Sequence, residues 1–143
     1  MKHLLSYVLL VFITISMISC DKKDPNCPPD DHISVVVSNQ SSRKINFIFY
    51  WSYPDTIIGE YNPKNDGTDG LSPGEEFNRS AGRHSCWESI LRNGNKEWIH
   101  FFDQDSLQTI PWDTIRATQR GLLERRLIDL EYLKANDFKI IYQ

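Results

Sequence analysis

From residue 44 to 51 the chain alternates with a period of two. Ile45, Phe47, Phe49 and Trp51 fall on one side of an extended strand, and Asn46, Ile48 and Tyr50 fall on the other. A helix would scatter those aromatic rings around its circumference, so the segment reads as a strand with one buried face. Residues 33–38 form a second, β-branched run, and Asn39-Gln40-Ser41-Ser42 between them is turn chemistry. Together they predict an antiparallel hairpin. On this pattern Trp51 continues the core stripe. Tyr53, just beyond the strand and before Pro54, is the exposed aromatic able to stack on a sugar or a partner side chain.

The remaining segments are equally short. Residues 56–61, 75–80, 96–103, 122–128 and 138–142 read as strands, with 96–103 (KEWIHFFD) the central one, and 62–74 is a long Gly/Asn/Asp/Pro loop. Ser85-Cys86-Trp87-Glu88 matches a capping box for a helix that Asn93-Gly94 stops, and Asp105 suggests one capped turn. Pro111 fits the first position of a helix turning Trp112 and Ile115 inward, and Asp129 caps a helix over 130–136. The expected fold is α+β, mainly antiparallel β, a sheet or sandwich of about seven short strands with two or three short helices.

Residues 1–19 are set aside from the fold. Lys2 precedes an apolar run over 4–18, about fifteen residues and short for a bilayer span, and Met17-Ile18-Ser19-Cys20 places a small residue before cysteine. The pattern resembles a bacterial lipoprotein signal with its lipobox, Met17 standing where that motif usually has Leu. The resemblance implies cleavage before Cys20 and acylation of Cys20. Of the 143 residues, 124 then remain: a polar, proline-rich stretch over 20–32, read as a flexible tether, and one globular domain over 33–143. Loss of Lys2 leaves 15 basic against 19 acidic side chains, a net charge of −4. Mild acidity argues against a nucleic-acid partner. Of the three cysteines, Cys27 and Cys86 are left as an even pair in an oxidising compartment, either bridged or present as two thiols.

Chemistry-bearing constellations are thin. His84-Ser85-Cys86 with Asp103 or Asp105 supplies the residue types of nucleophilic catalysis, but Ser85 has a capping role and no Gly-x-Ser-x-Gly elbow exists. His84, Cys86 and His100 lack the local spacing of a zinc site, and His100 alternates with Trp98 and Phe102 as a sheet-lining residue would. Counted from Asn62, the acidic loop places Lys64 and Pro73 where a calcium loop needs oxygen ligands. Arg116, Arg120, Arg125 and Arg126 are diluted by Glu124 and Asp129 and read as a salt-bridged surface. No cofactor and no metal are expected.

Phe101-Phe102-Asp103, Asp105-Ser106-Leu107, Pro111-Trp112-Asp113-Thr114-Ile115-Arg116, Leu130-Glu131-Tyr132-Leu133-Lys134 and Phe138-Lys139-Ile140-Ile141-Tyr142 resemble a family of small lipoproteins of Bacteroidota-type bacteria that has no established activity. The resemblance covers residues 97–142 well, the first hairpin loosely and the middle poorly, and it implies location without naming a catalytic residue. Such bacteria attach O-glycans at Asp-Ser/Thr-aliphatic tripeptides. Asp55-Thr56-Ile57, Asp105-Ser106-Leu107 and Asp113-Thr114-Ile115 are similar, with Thr56 favoured because it follows a turn. The expected protein is therefore a cell-envelope lipoprotein held at the outer membrane by its acyl chains, on the periplasmic side or at the cell surface. Its domain is a non-enzymatic binding or structural module with a protein or glycan partner. A small hydrolase using His84 or His100 with nearby acids is one alternative, and an accessory or inhibitor lipoprotein acting with a partner protein is another.

Overall fold

The β-branched and aromatic runs form six strands in the computed structural model, which describes residues 24–27, 32–51, 53–66, 70–82 and 85–143. They are β1 (Ser34–Asn39), β2 (Ile45–Tyr50), β3 (Glu76–Ser80), β4 (Glu97–Asp103), β5 (Leu122–Ile128) and β6 (Lys139–Tyr142). Four short α-helices join them: α1 (Trp87–Ile90), α2 (Gln104–Thr109), α3 (Trp112–Thr118) and α4 (Leu130–Ala135). The fold is α+β. Six strands replace the expected seven, because residues 56–61 are not a strand. That segment is held by side chains, Arg116 Nε donating to Ile58 O (3.2 Å) and Trp112 Nε1 to Glu60 O (2.9 Å). Ile58 is buried by this arrangement, while Ile57 remains 67 % exposed.

The first two strands do not form the expected hairpin. β1 is central in one sheet, antiparallel to β3 and parallel to β6, whereas β2, β4 and β5 make a separate antiparallel sheet with β4 at its centre. The cause is Asn39. Its fully buried side chain donates from Nδ2 to Arg43 O and Leu71 O (both 2.8 Å) and accepts from Ser41 N (3.0 Å) and Oγ (2.7 Å). What reads as hairpin chemistry in the sequence is a corner that carries the chain from one sheet to the other.

Sequence periodicity decides which faces meet. Val35 and Val37 of β1, with Ile140 and Tyr142 of β6, share one core with Ile45, Phe49, Ile99, Phe101 and Ile128 of the second sheet. Phe101 and Tyr142 touch across it, ring centroids 4.9 Å apart. The other face of β4 is buried as well: Phe102 packs with Tyr50, Ile58, Leu107 and Ile115 under α2 and α3. β4 is thus buried on both faces, which explains its nearly continuous apolar sequence.

The stripe ends earlier than the alternation suggests. β2 makes its last rung at Tyr50, opposite Trp98, and Trp51 is 60 % exposed. Two caps also shift. Cys86, not Ser85, is the N-cap of α1, its Sγ accepting from Ser89 N (3.3 Å), and Asp103, not Asp105, caps α2 through Ser106 N (2.9 Å). Asp129 caps α4 through Tyr132 N (2.8 Å).

Released from the capping box, Glu88 binds the N-terminal segment. Its carboxylate accepts from His32 N (3.1 and 3.2 Å) and meets His32 Nδ1 at 2.6 Å, while the His32 ring stacks on Phe138 at 3.5 Å. Cys27 and Cys86 are joined by a disulfide, Cα atoms 5.8 Å apart, and Asp24 accepts a hydrogen bond from Ser89 Oγ. That bond and those from Asn26 hold the Asp24 carboxyl down at about 2. The described part of the 20–32 stretch is therefore fastened to α1 rather than free. Because the bridge closes 59 residues of chain, replacing both cysteines by serine should cost about 2–4 kcal/mol, read as a lower urea midpoint with unchanged slope.

Candidate functional site

The edge of β2 borders a concavity that gathers aromatic, apolar and charged groups. Lys44 O accepts from Gln104 N (3.2 Å), so its pairing points toward β4, whereas Ile45 exchanges both main-chain groups with Leu71 (3.0 and 2.6 Å) on the opposite side. Antiparallel alternation then sends the groups of Asn46, Ile48 and Tyr50 to β4 and those of Phe47 and Phe49 outward. Asn46 Oδ1 takes the Phe47 N–H (2.7 Å). Among the described residues nothing pairs with Phe47 O, Phe49 N–H or Phe49 O. Gly70 lets the chain reach the Leu71 rung. Its φ is +82°, and a Cβ there would stand 2.8 Å from Ile45 O and 2.9 Å from Gln104 Oε1.

The second wall is β3, the edge of the other sheet. Phe77 and Arg79 lie opposite Val37 and Val35 and point with them toward β2, and Phe47 and Phe49 lie opposite Phe101 and Ile99 and point back. Phe47 and Phe77 meet edge to face at 5.6 Å, and the Arg79 guanidinium lies 5.8 Å over the Phe49 ring. Between the walls is a cleft of about 400 Å³, lined by Phe47, Phe49, Tyr61, Leu71, Phe77 and Arg79 among others. A volume of this size accommodates a small ligand or one or two side chains of a partner.

Arg79 makes no ion pair among the described residues. The acid that acts on it is Glu97, fully buried on the inward face of β4 with neither carboxylate oxygen hydrogen-bonded. Burial pushes the Glu97 carboxyl up to about 8, with Arg79 opposing the shift. Burial thus disfavours the charged form of Glu97, and no ion pair joins it to Arg79 among the described residues.

His100 is on the opposite face of β4 and does not reach the cleft. It is fully buried, 4.8 Å from the Tyr50 ring, with no hydrogen-bond partner on either ring nitrogen. Burial, helped by Arg125 directly across the ladder, lowers it to about 4. No acid is within hydrogen-bond reach of it among the described residues, so the His–acid geometry a hydrolase requires is missing there. His84 and Cys20 lie outside the described residues. Cys86 is in the disulfide. Tyr53 is 46 % exposed, its ring 6.5 Å from Trp98 with Lys96 Nζ 5.9 Å above it.

Thr56 is exposed beside a turn in which Asp55 Oδ1 accepts from Ile57 N (2.9 Å). The other two tripeptides are less open, Ser106 Oγ being bound to the Asp103 cap (2.8 Å) and Thr114 half-buried. The arginines separate: Arg126 bonds Glu124, Tyr132 Oη and Ile141 O, and Arg116 bonds Asp113 and Ile58 O. Among the described residues no group of three or more His, Cys, Asp or Glu side chains is placed to hold a metal ion, and no helix is long and apolar enough to cross a membrane.

The cleft was not found by sequence reasoning. Its signal is Glu97, an acid in phase with Ile99 and Phe101 on the inward side of the most apolar strand, answered by Arg79 in phase with Phe77. Comparison with protein-family models, with curated proteins and with solved structures found no match to this chain.

The two buried ionisable groups predict a specific pH profile. Above about 4.5 the unfolded chain ionises Glu97 while the fold keeps it protonated, so this group lowers stability with rising pH up to about 8. Below about 6.5 the unfolded chain protonates His100 while the fold keeps it neutral, so this group lowers stability with falling pH down to about 4. Between about 4.5 and 6.5 the two slopes cancel. Urea unfolding across pH should show a plateau there and a decline on the alkaline side that Glu97→Gln removes. A decline persisting in that variant contradicts the assignment.

Proposed function

We propose that this protein is a lipid-anchored cell-envelope binding module, held at the outer membrane through Cys20, that receives a partner in the cleft between β2 and β3. The observation supporting the binding reading is the cleft itself, where Phe47, Phe49, Leu71 and Phe77 meet the Arg79 guanidinium, which makes no ion pair among the described residues. Two sheets sharing one core, with β2 and β3 as neighbouring edges, support a sandwich reading of the architecture and account for the position of the cleft. An accessory or inhibitor lipoprotein acting on a partner protein is one form of this reading. A glycan partner would draw instead on Tyr53, and O-glycosylation would fall on Thr56, the most exposed of the three tripeptide sites.

The anchor and the domain are closely coupled on this reading. Cys20 precedes Asp24 by four residues, a span of at most about 14 Å when extended. With 24–27 and His32 fastened to α1, an acylated Cys20 would hold the domain against the membrane surface rather than at a distance from it. Two or three acyl chains, at about 0.8 kcal/mol for each buried methylene, make such attachment effectively permanent.

Replacing Cys20 by serine tests the anchor. The variant should appear in soluble fractions, and mass spectrometry of the parent protein should find acyl chains on an N-terminal Cys20. A Cys20→Ser protein that partitions with membranes as the parent does would refute the anchor.

A further inference from the structure

The strand connections around α1 gather at one end of the two sheets. β1 and β4 begin there and β2, β3 and β5 end there: Ser34 lies opposite Ser80, Tyr50 opposite Trp98, and Glu97 opposite Ile128. The sheets run in step, because Phe47 meets Phe77 and Phe49 meets Arg79. α1 packs at this end, its Trp87 ring 5.5 Å from Phe49 and the Trp87 N–H bonded to His32 O (3.0 Å). The Asn39 corner, the start of β2 and the start of α2 lie at the opposite end.

The N-terminal chain arrives at the α1 end. Asp24 is bonded to Ser89, Cys27 is bridged to Cys86, and Arg92 helps to hold the Asp24 carboxyl down. Cys20 is four residues before Asp24, at most about 14 Å of extended chain. Three large hydrophobic side chains stand open at the same end. Ile33, where the chain enters β1, is 56 % exposed, and Trp51 and Tyr53, just past the last rung of β2, are 60 % and 46 % exposed. Basic groups are beside them: Lys96 Nζ is 5.9 Å above the Tyr53 ring, and Arg92 is exposed on the turn from α1 to β4. Of the nearby acids, Glu88 is held by His32, and Asp129 by the Tyr132 N–H and, at 3.6 Å, by Lys96.

From this coincidence we infer that Ile33, Trp51 and Tyr53 form a contact surface for the bilayer that holds the acyl chains of Cys20. Their side chains sit at the headgroup level, with Arg92 and Lys96 reaching lipid phosphates. The inference rests on the lipid-anchor reading and adds an orientation to it, the α1 end facing the membrane and the Asn39 corner pointing away. Trp and Tyr suit that depth because each joins an apolar ring to one polar group, and long basic side chains reach outward from it. Three such side chains bind a bilayer weakly alone. A tether of four residues makes the contact intramolecular, which raises its occupancy and favours the bilayer over a sugar or a second copy.

The test uses the acylated protein in phosphatidylethanolamine–phosphatidylglycerol vesicles, with and without brominated acyl chains. Flotation scores the anchor, and quenching of tryptophan fluorescence by bromine scores the contact. Brominated lipid should quench the parent, with Trp51 about 5–10 Å into the headgroup–acyl boundary. The Trp51→Phe variant should float as the parent does and lose most of the quenching, since Trp51 is exposed and Trp87 is buried. Adding Ser42→Trp to that variant places a tryptophan at the Asn39 corner, and this one should remain unquenched. A parent that floats without quenching, a Trp51→Phe variant quenched as strongly as the parent, or quenching through Ser42→Trp would each overturn the inference and leave the anchor standing. So would a dimer that sediments in micelles and is lost in Trp51→Phe, which would make a second copy the occupant. A parent that does not float overturns the anchor, and the inference with it.

Discussion

The amide of Asn39 is the contact on which the arrangement of both sheets depends. Its main chain closes the β1–β3 ladder through Glu75 O (3.0 Å) and Gly74 N (2.7 Å), and its side chain fixes the corner at 41–43 and the carbonyl of Leu71. A buried side-chain amide satisfied on every atom is rigid in a way that a solvent-facing turn is not. It turns the chain out of the first sheet before β2 can pair with β1. β1 is then free to accept β3 and β6 on its two edges, and β2 takes β4 on one edge and, among the described residues, Leu71 on the other.

Open edges are ordinarily a liability, blunted by charge, proline or cover. Here the Phe47 N–H is occupied by Asn46 and the first rung by Leu71, which covers part of this edge. Glu97 adds a second unusual feature, a carboxyl buried in the core without a hydrogen bond, whose pKa burial raises against the pull of Arg79. A satisfied ion pair between them would neutralise the cleft. Burial instead disfavours the charged form of Glu97, so that its contribution to stability falls as the pH rises.

Much of the fold is legible in the sequence, because each strand's own alternation depends on local pattern. β2, β4 and β5 fall within a residue or two of where residues 44–51, 96–103 and 122–128 place them, and Asp129 caps its helix. The pairing of strands is less legible, since Asn39-Gln40-Ser41-Ser42 has the chemistry of a tight turn and of a sheet-to-sheet corner alike. Trp51 leaves the stripe because β4 offers no rung beyond Trp98, a fact about β4 that the β2 sequence cannot hold. The cleft required bringing Phe47 and Phe49 beside Phe77 and Arg79, thirty residues downstream, and only the misplaced acid at Glu97 hinted at it. The fastening of the N-terminal stretch was hidden for a related reason: Glu88 satisfies the pattern of a capping box, but its carboxylate is drawn to His32.

The most direct test of the β2 pairing is amide hydrogen exchange of the protein, resolved to single residues along β2. The amides of Ile48 and Tyr50, bonded to β4, should be protected at least about a hundredfold more than that of Phe49, which faces the cleft. A Phe49 amide as strongly protected as that of Ile48 would mean that the edge is already closed, by this chain or by a second copy, and would contradict the account.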